Sequence, residues 1–257
     1  MNEKKIGKEF RDFSTKHLGL SGTTFDDVVK HMDVQASRTP YIIEEREMRV
    51  SQLDVFSRLM MDRQIFLSGV VDQNMADITQ AQLLFLESLD ASRDITFLLS
   101  SPGGSVLSGL SIVDTMEYVK PDIACINLGL AASMGSIILS SSTKGKRSSL
   151  NFAKVMIHQV SSGASGHVAD NRISQMESEK YNYILFKMLA QNSGRDFDYV
   201  LEAARRDKWL NAYEALEFGF IDEVINSENN RYDVKKLMDG FDDYYKKEVL
   251  NKDKSVK

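Results

Sequence analysis

Ser133 lies in the run Gly129-Leu130-Ala131-Ala132-Ser133-Met134-Gly135, between a strand-like apolar segment at 123–128 and a second apolar run at 136–139. A serine among small residues at a strand-to-helix turn has little steric cover. Its hydroxyl can face a substrate, and the free N–H groups of the following helix start favour developing negative charge. Those are the needs of a nucleophilic serine. Taken alone, the run reads first as a close-packing contact.

A nucleophilic hydroxyl needs a base, and the chain has four histidines: His17, His31, His158 and His167. His17 and His31 belong to the N-terminal segment, and His167 closes the Gly- and Ser-rich stretch 161–167. His158 ends the apolar strand-like run Lys154-Val155-Met156-Ile157-His158-Gln159. A strand end presents an imidazole rigidly, and imidazole is suited to taking a proton near neutral pH. A carboxylate best holds the required tautomer. Asp207, in Arg205-Arg206-Asp207-Lys208-Trp209-Leu210, is one candidate among 37 acidic residues. Read alone, it is an ordinary surface charge.

The stretch Ser100-Ser101-Pro102-Gly103-Gly104-Ser105 follows the apolar strand 95–99. Val106, Leu110, Val113 and Met116 then recur at helical spacing, and Pro121 ends the pattern. Strand, Pro-Gly-Gly and helix make a tight turn with exposed N–H groups. One such N–H, with that of Met134, has the form of an oxyanion hole.

In this order, Ser-Pro-Gly-Gly-Ser, Ala-Ala-Ser-Met-Gly, Lys-Gly-Lys-Arg, Val-Met-Ile-His-Gln and Arg-Asp-Lys-Trp-Leu resemble the ClpP family, the proteolytic subunit of the Clp protease. The resemblance spans about Pro40 to Ile225. It implies a serine peptidase with Ser133 as nucleophile, His158 as general base and Asp207 as orienting acid, the N–H groups of Gly104 and Met134 binding the oxyanion. It further implies an α/β ClpP–crotonase fold of repeated strand-strand-helix units with a protruding handle helix. Two stacked heptameric rings, homomeric or mixed with a paralogue, would enclose unfolded protein substrates delivered by a ClpX-like AAA+ unfoldase. ATP would be used by that partner, so no cofactor is expected for this chain.

Composition agrees with that class. The net charge of −5 gives no polyanion-binding signature, which argues against nucleic acid. The single cysteine, Cys125, lies in an apolar strand, and reads as a buried, inert thiol in a reducing compartment. The apolar runs are too short for a membrane span, no secretory h-region is present, and no His/Cys/Asp/Glu cluster has metal-ligand spacing. The expected location is the cytoplasm.

Three regions differ in character: 1–36, a charged extension or propeptide; 37–226, the peptidase domain; and 227–257, a charged tail or terminal helix. Within the domain, a long helical pattern from about 170 to 192 carries Ile173, Met176, Tyr183, Ile184, Met188 and Leu189, with Asp170 as N-cap and Gly194 as terminator. Either a core helix or the family's handle buries such a stripe.

The sequence departs from the family pattern in places. Val160 stands where proline usually follows His-Gln, and Arg49 where glycine is usual in Glu44–Val50. Thr96 and Leu98 occupy positions where tyrosines often help dock the unfoldase, while Arg206 matches an arginine that couples ring contacts to the triad. Other readings are a catalytically weak or inactive paralogue serving as a structural subunit of a mixed ring, a crotonase-type enzyme acting on acyl-CoA, and a Ser-Lys peptidase using Lys144 or Lys146.

Overall fold

The computed structural model describes residues 41–46, 49–161, 163, 166–225 and 231–245. The extension at 1–36, with His17 and His31, therefore lies outside the described residues. The chain divides into two units, one ending at Met61 and the other starting at Asp62. In the first unit, β1 (Tyr41–Arg46) and β2 (Arg49–Asp54) pair antiparallel, and α1 (Val55–Met61) follows.

The second unit alternates strands and helices: β3 (Gln64–Val71), α2 (Gln73–Leu89), β4 (Ile95–Gly104), α3 (Val106–Tyr118), β5 (Ile123–Ala132) and α4 (Met134–Ser141). Next come β6 (Arg147–Leu150), β7 (Lys154–Ile157), α5 (Val168–Ser193), α6 (Phe197–Ala203), β8 (Lys208–Asn211), α7 (Ala212–Phe218) and β9 (Glu223–Ile225). Two short helices, α8 (Val234–Met238) and α9 (Phe241–Tyr245), lie in the expected tail. There Val234 is buried, and the Asn151 side-chain amide donates to Tyr232 O at 3.1 Å.

The sheet has the order β3-β4-β5-β6-β9, all parallel. Parallel strands need crossovers, and α2 and α3 supply them between β3, β4 and β5. Burial alternates along β3, β4 and the first half of β5: one face is buried, and the other, with Phe66, Leu98 and Ile126, is half-buried. Ile65, Leu67, Ile95, Phe97 and Leu99 are buried with Leu83 and Leu86 of α2, Ile112 of α3 and Ile138 of α4. Capping sets the helix starts: Asp72 accepts from the N–H of Met75 at 2.8 Å, and Ser105 from that of Ser108 at 3.3 Å. As expected, α3 stops short of Pro121.

β5 forks. Its first half pairs with β6 from Cys125 to Asn127, and its last three residues pair with β7 from Leu130 to Ala132. Buried Asn127 bridges the split: its amide donates to Lys154 O at 3.0 Å and its oxygen accepts from Gly129 N–H at 3.2 Å. β7 continues the sheet antiparallel to β8. The fork thus turns the end of β5, and the serine after it, toward β7 and β8.

The long helix is as expected in extent but not in its cap. His167 is the N-cap residue, without a side-chain cap bond, and Asp170 lies inside the first turn, where a carboxylate is favoured by the helix dipole. Gly194 ends the helix in the left-handed conformation, φ +71°. Of the expected stripe only Leu189 is buried. Leu185, Phe186 and Ala190 join it, whereas Ile173, Met176, Tyr183 and Ile184 are exposed on this chain.

Candidate active site

Ser133 has φ +53° and ψ −122°, and α4 begins at the next residue. A serine at positive φ is strained and persists only where its surroundings hold it there. Here they do. Its N–H donates to Met156 O at 2.9 Å, and its carbonyl accepts from the N–H and the hydroxyl of Ser136 at 2.9 and 2.7 Å. The chain therefore makes a sharp strand-to-helix turn with the hydroxyl on its outside.

The tight turn expected at Pro102–Gly104 is instead the end of β4, where Gly103 and Gly104 pair with Val70 and Val71 of β3, and this strand end rests on the elbow. A Cβ at Gly103 would fall 2.6 Å from both Ala132 O and Ser133 Cβ, and 2.9 Å from Met134 N. Gly103 is also at φ +90°. Only glycine lets the end of β4 approach the elbow so closely. Gly104 is similarly confined: a Cβ there would meet Val71 O at 2.2 Å. Met134 is buried, and its side chain lies against α3, where a Cβ at Gly109 would meet Met134 Cε at 2.3 Å. Gly104 and Met134 both line the cavity beside Ser133.

His158 follows β7 directly. The rung Ala132↔Met156 and the Ser133–Met156 hydrogen bond set Ser133 beside the end of that strand. His158 Nε2 is 2.9 Å from Ser133 Oγ. With Nε2 unprotonated the serine hydroxyl donates to it, the arrangement that lets an imidazole remove the proton. On the other side, the last rung of β7–β8 is Ile157↔Lys208. One further step in that register sets Asp207 opposite His158. Their Nδ1 and Oδ1 are 3.6 Å apart, and the Asp207 side chain is 62% exposed. That separation is longer than a hydrogen bond.

A cavity of about 240 Å³ opens at Ser133. Ile137, Ile157, Leu185, Phe186 and Leu189 form its apolar wall, and Asn182 contributes a polar side chain. Sequence reasoning missed Asn182. Its only signal is an amide inside the apolar stretch Tyr181–Phe186. It missed the clamp behind the cavity as well. Buried Arg147 donates to Ser140 O at 3.2 Å and Asn192 O at 2.9 Å, tying α4 to α5, and pairs with Asp222 at 2.6 Å. Burial pushes the Asp222 carboxyl up, but hydrogen bonds and charge from Arg147, with the Gly145 N–H, win and hold it below its ordinary value.

Other candidates lie elsewhere. Lys146 reaches Asp94 at 2.5 Å and Asp122 at 2.8 Å, and Lys144 lines a different cavity, so neither is placed as a base for Ser133. Cys125 is fully buried, which pushes its thiol up to about 12. Arg206 is exposed, and Thr96 and Leu98 are half-buried on β4. Among the described residues no group of three or more His, Cys, Asp or Glu side chains has a metal-holding arrangement, and no helix is long and apolar enough to cross a membrane.

A family model described as "Clp protease" matches residues 45–228. The chain is 48% identical over 217 residues to an ATP-dependent Clp protease proteolytic subunit of Bacteroides fragilis (strain YCH46), covering 84% of this chain and 98% of that protein. It is 48% identical over the same length to the Bacteroides thetaiotaomicron protein of that name, with the same coverage. The protein of that name from Porphyromonas gingivalis is 45% identical over 224 residues, covering 87% of this chain and 99% of its own length.

Proposed function

The chain belongs to the Clp protease family, and on that premise we propose that it is a serine endopeptidase using Ser133, His158 and Asp207. One observation carries the reading: the 2.9 Å contact between Ser133 Oγ and His158 Nε2 at a strained strand-to-helix elbow. His158 takes the hydroxyl proton as Ser133 attacks a peptide carbonyl. The N–H groups of Gly104 and Met134 receive the oxyanion. His158 then protonates the leaving amine, and water, deprotonated by the same imidazole, releases the acyl group. Asp207 favours the tautomer with the proton on Nδ1 and stabilises the imidazolium that forms.

The substrate class is an unfolded polypeptide or short peptide, cleaved inside two stacked heptameric rings. Exposed apolar residues support burial against other subunits: Ile78, Leu84, Phe85 and Leu89 on α2, and Val168, Ile173, Met176 and Tyr183 on α5. The relatives' name, ATP-dependent Clp protease proteolytic subunit, supports a separate ClpX-like AAA+ unfoldase that consumes the ATP, leaving this chain without a cofactor. The reading places the chain in the cytoplasm.

A second reading, a structural subunit of a mixed ring with little activity of its own, is favoured by the 3.6 Å gap and the exposure of Asp207. Fluorophosphonate labelling decides between them. The assembled wild type should gain one adduct by intact mass, and Ser133→Ala none. A folded, assembled wild type that gains no adduct overturns the peptidase reading.

A further inference from the structure

His158 is held unevenly. It lies beyond the last rung of β7, and Asp207, at 3.6 Å and largely exposed, does not fix its ring by a hydrogen bond. The backbone two residues on is fixed instead. The N–H of Val160 donates to Asn182 Oδ1 at 3.0 Å, in a partly buried contact. Asn182 belongs to α5, one turn before Leu185 and Phe186, which are buried in the wall of the same cavity. α5 is anchored in turn by Arg147 through Asn192 O at 2.9 Å.

We propose that Asn182 is a positioning residue for the proposed reaction: by accepting from Val160 N–H it ties the segment carrying His158 to α5 and so holds the imidazole in reach of Ser133. The inference rests on the peptidase reading above. Asn182 does not touch the reacting atoms; it acts through the backbone at 158–160. Three features support that role over a general packing one. The bond joins two elements far apart in sequence. Its acceptor is an amide within an apolar stretch. Its donor is a backbone N–H that exists because Val160 stands where the family usually carries proline, which has none.

The test uses the assembled full-length protein, a short fluorogenic peptide and fluorophosphonate labelling. Asn182→Leu removes the acceptor at similar volume. It should lower kcat and the labelling rate about two- to tenfold, the equivalent of one neutral hydrogen bond, with KM changed less. Asn182→Asp keeps an acceptor oxygen and should recover most of the loss. Val160→Pro removes the donor without touching α5, and the pair Val160→Pro/Asn182→Leu should be no slower than the slower single variant. Wild-type labelling with an Asn182→Leu that matches it in kcat and labelling rate overturns the inference alone. So do losses that multiply in the double variant, or an Asn182→Asp as slow as Asn182→Leu. A wild type that does not label overturns the peptidase reading itself. If Asn182→Leu does not assemble, Val160→Pro decides: full activity in that variant overturns the inference.

Discussion

Asp207 faces His158 one position beyond the last rung of an antiparallel strand pair, Ile157↔Lys208, at 3.6 Å. Backbone pairing therefore brings the proposed acid and base together, although 49 positions separate them in the chain. The carboxylate stays in solvent, and that exposure ranks the consequences of substitution.

Removing Ser133 or His158 should nearly abolish peptide hydrolysis, with losses of about 10⁴-fold or more in kcat. Because the two act as one unit, Ser133→Ala/His158→Ala should lose no more than either single variant. Progress curves on a short fluorogenic peptide, beside thermal melts, check this. A His158→Ala of near-normal rate would remove the imidazole from the mechanism.

Asp207→Ala should be milder, about 10- to 100-fold, the scale of charge attraction between a solvent-exposed carboxylate and the imidazolium across 3.6 Å rather than of a direct hydrogen bond. Steady-state kinetics on the assembled protein give the value. A loss as deep as that of Ser133→Ala would mean that assembly draws the carboxylate into direct contact with Nδ1.

Gly103→Ala should destabilise the fold and abolish labelling of Ser133, since its Cβ would overlap Ala132 O and Ser133 Cβ at 2.6 Å. Gly145→Ala is the control. Gly145 has a similar φ of +88° but nothing within 4 Å of an added Cβ, so it carries only the conformational cost, about 1 kcal/mol. Thermal melts and labelling of both variants should separate collision from backbone strain.

The Arg147–Asp222 pair predicts an acid limb of stability. Burial raises the Asp222 carboxyl but its hydrogen bonds with Arg147 lower it further, so its folded value lies below the unfolded one. Its contribution is full above the ordinary carboxylate value and is lost as pH falls through the lowered folded value. Chemical denaturation from pH 7 to 3 should show that loss, with a shallower slope for Asp222→Asn. Arg147→Met should cost about 3 kcal/mol, the low end for breaking a buried pair because Asp222 keeps some contact with solvent.

Cys125, with its thiol pushed up to about 12 by burial, should resist aromatic disulfide reagents at pH 8 in the native protein and react fully in denaturant. Fast native labelling would mean that the β5 core opens readily.

Much of this protein is local in origin and so legible in the chain. The strand-turn-helix alternation, the glycine that ends α5 and the proline beyond α3 follow from periodicity and backbone sterics within a few residues. The order of short motifs was enough to suggest the family, to which the matched region and the relatives assign the chain. What the sequence could not supply is every relation that crosses elements. The fork of β5 decides that Ser133 meets β7, and a shared register, with no signature in either segment, decides that Asp207 faces His158. The helical stripe left open which side of α5 is covered, because core and interface bury the same residue types. Packing against α4 selected Leu185, Phe186 and Leu189 for the cavity and left Ile173 and Tyr183 outside. Asn182 and Arg147 read as ordinary polar residues until the fold sets a backbone N–H beside one and a carboxylate beside the other. Patterns along a chain fix what each segment can bury; only closure of the chain on itself fixes what each polar group will meet.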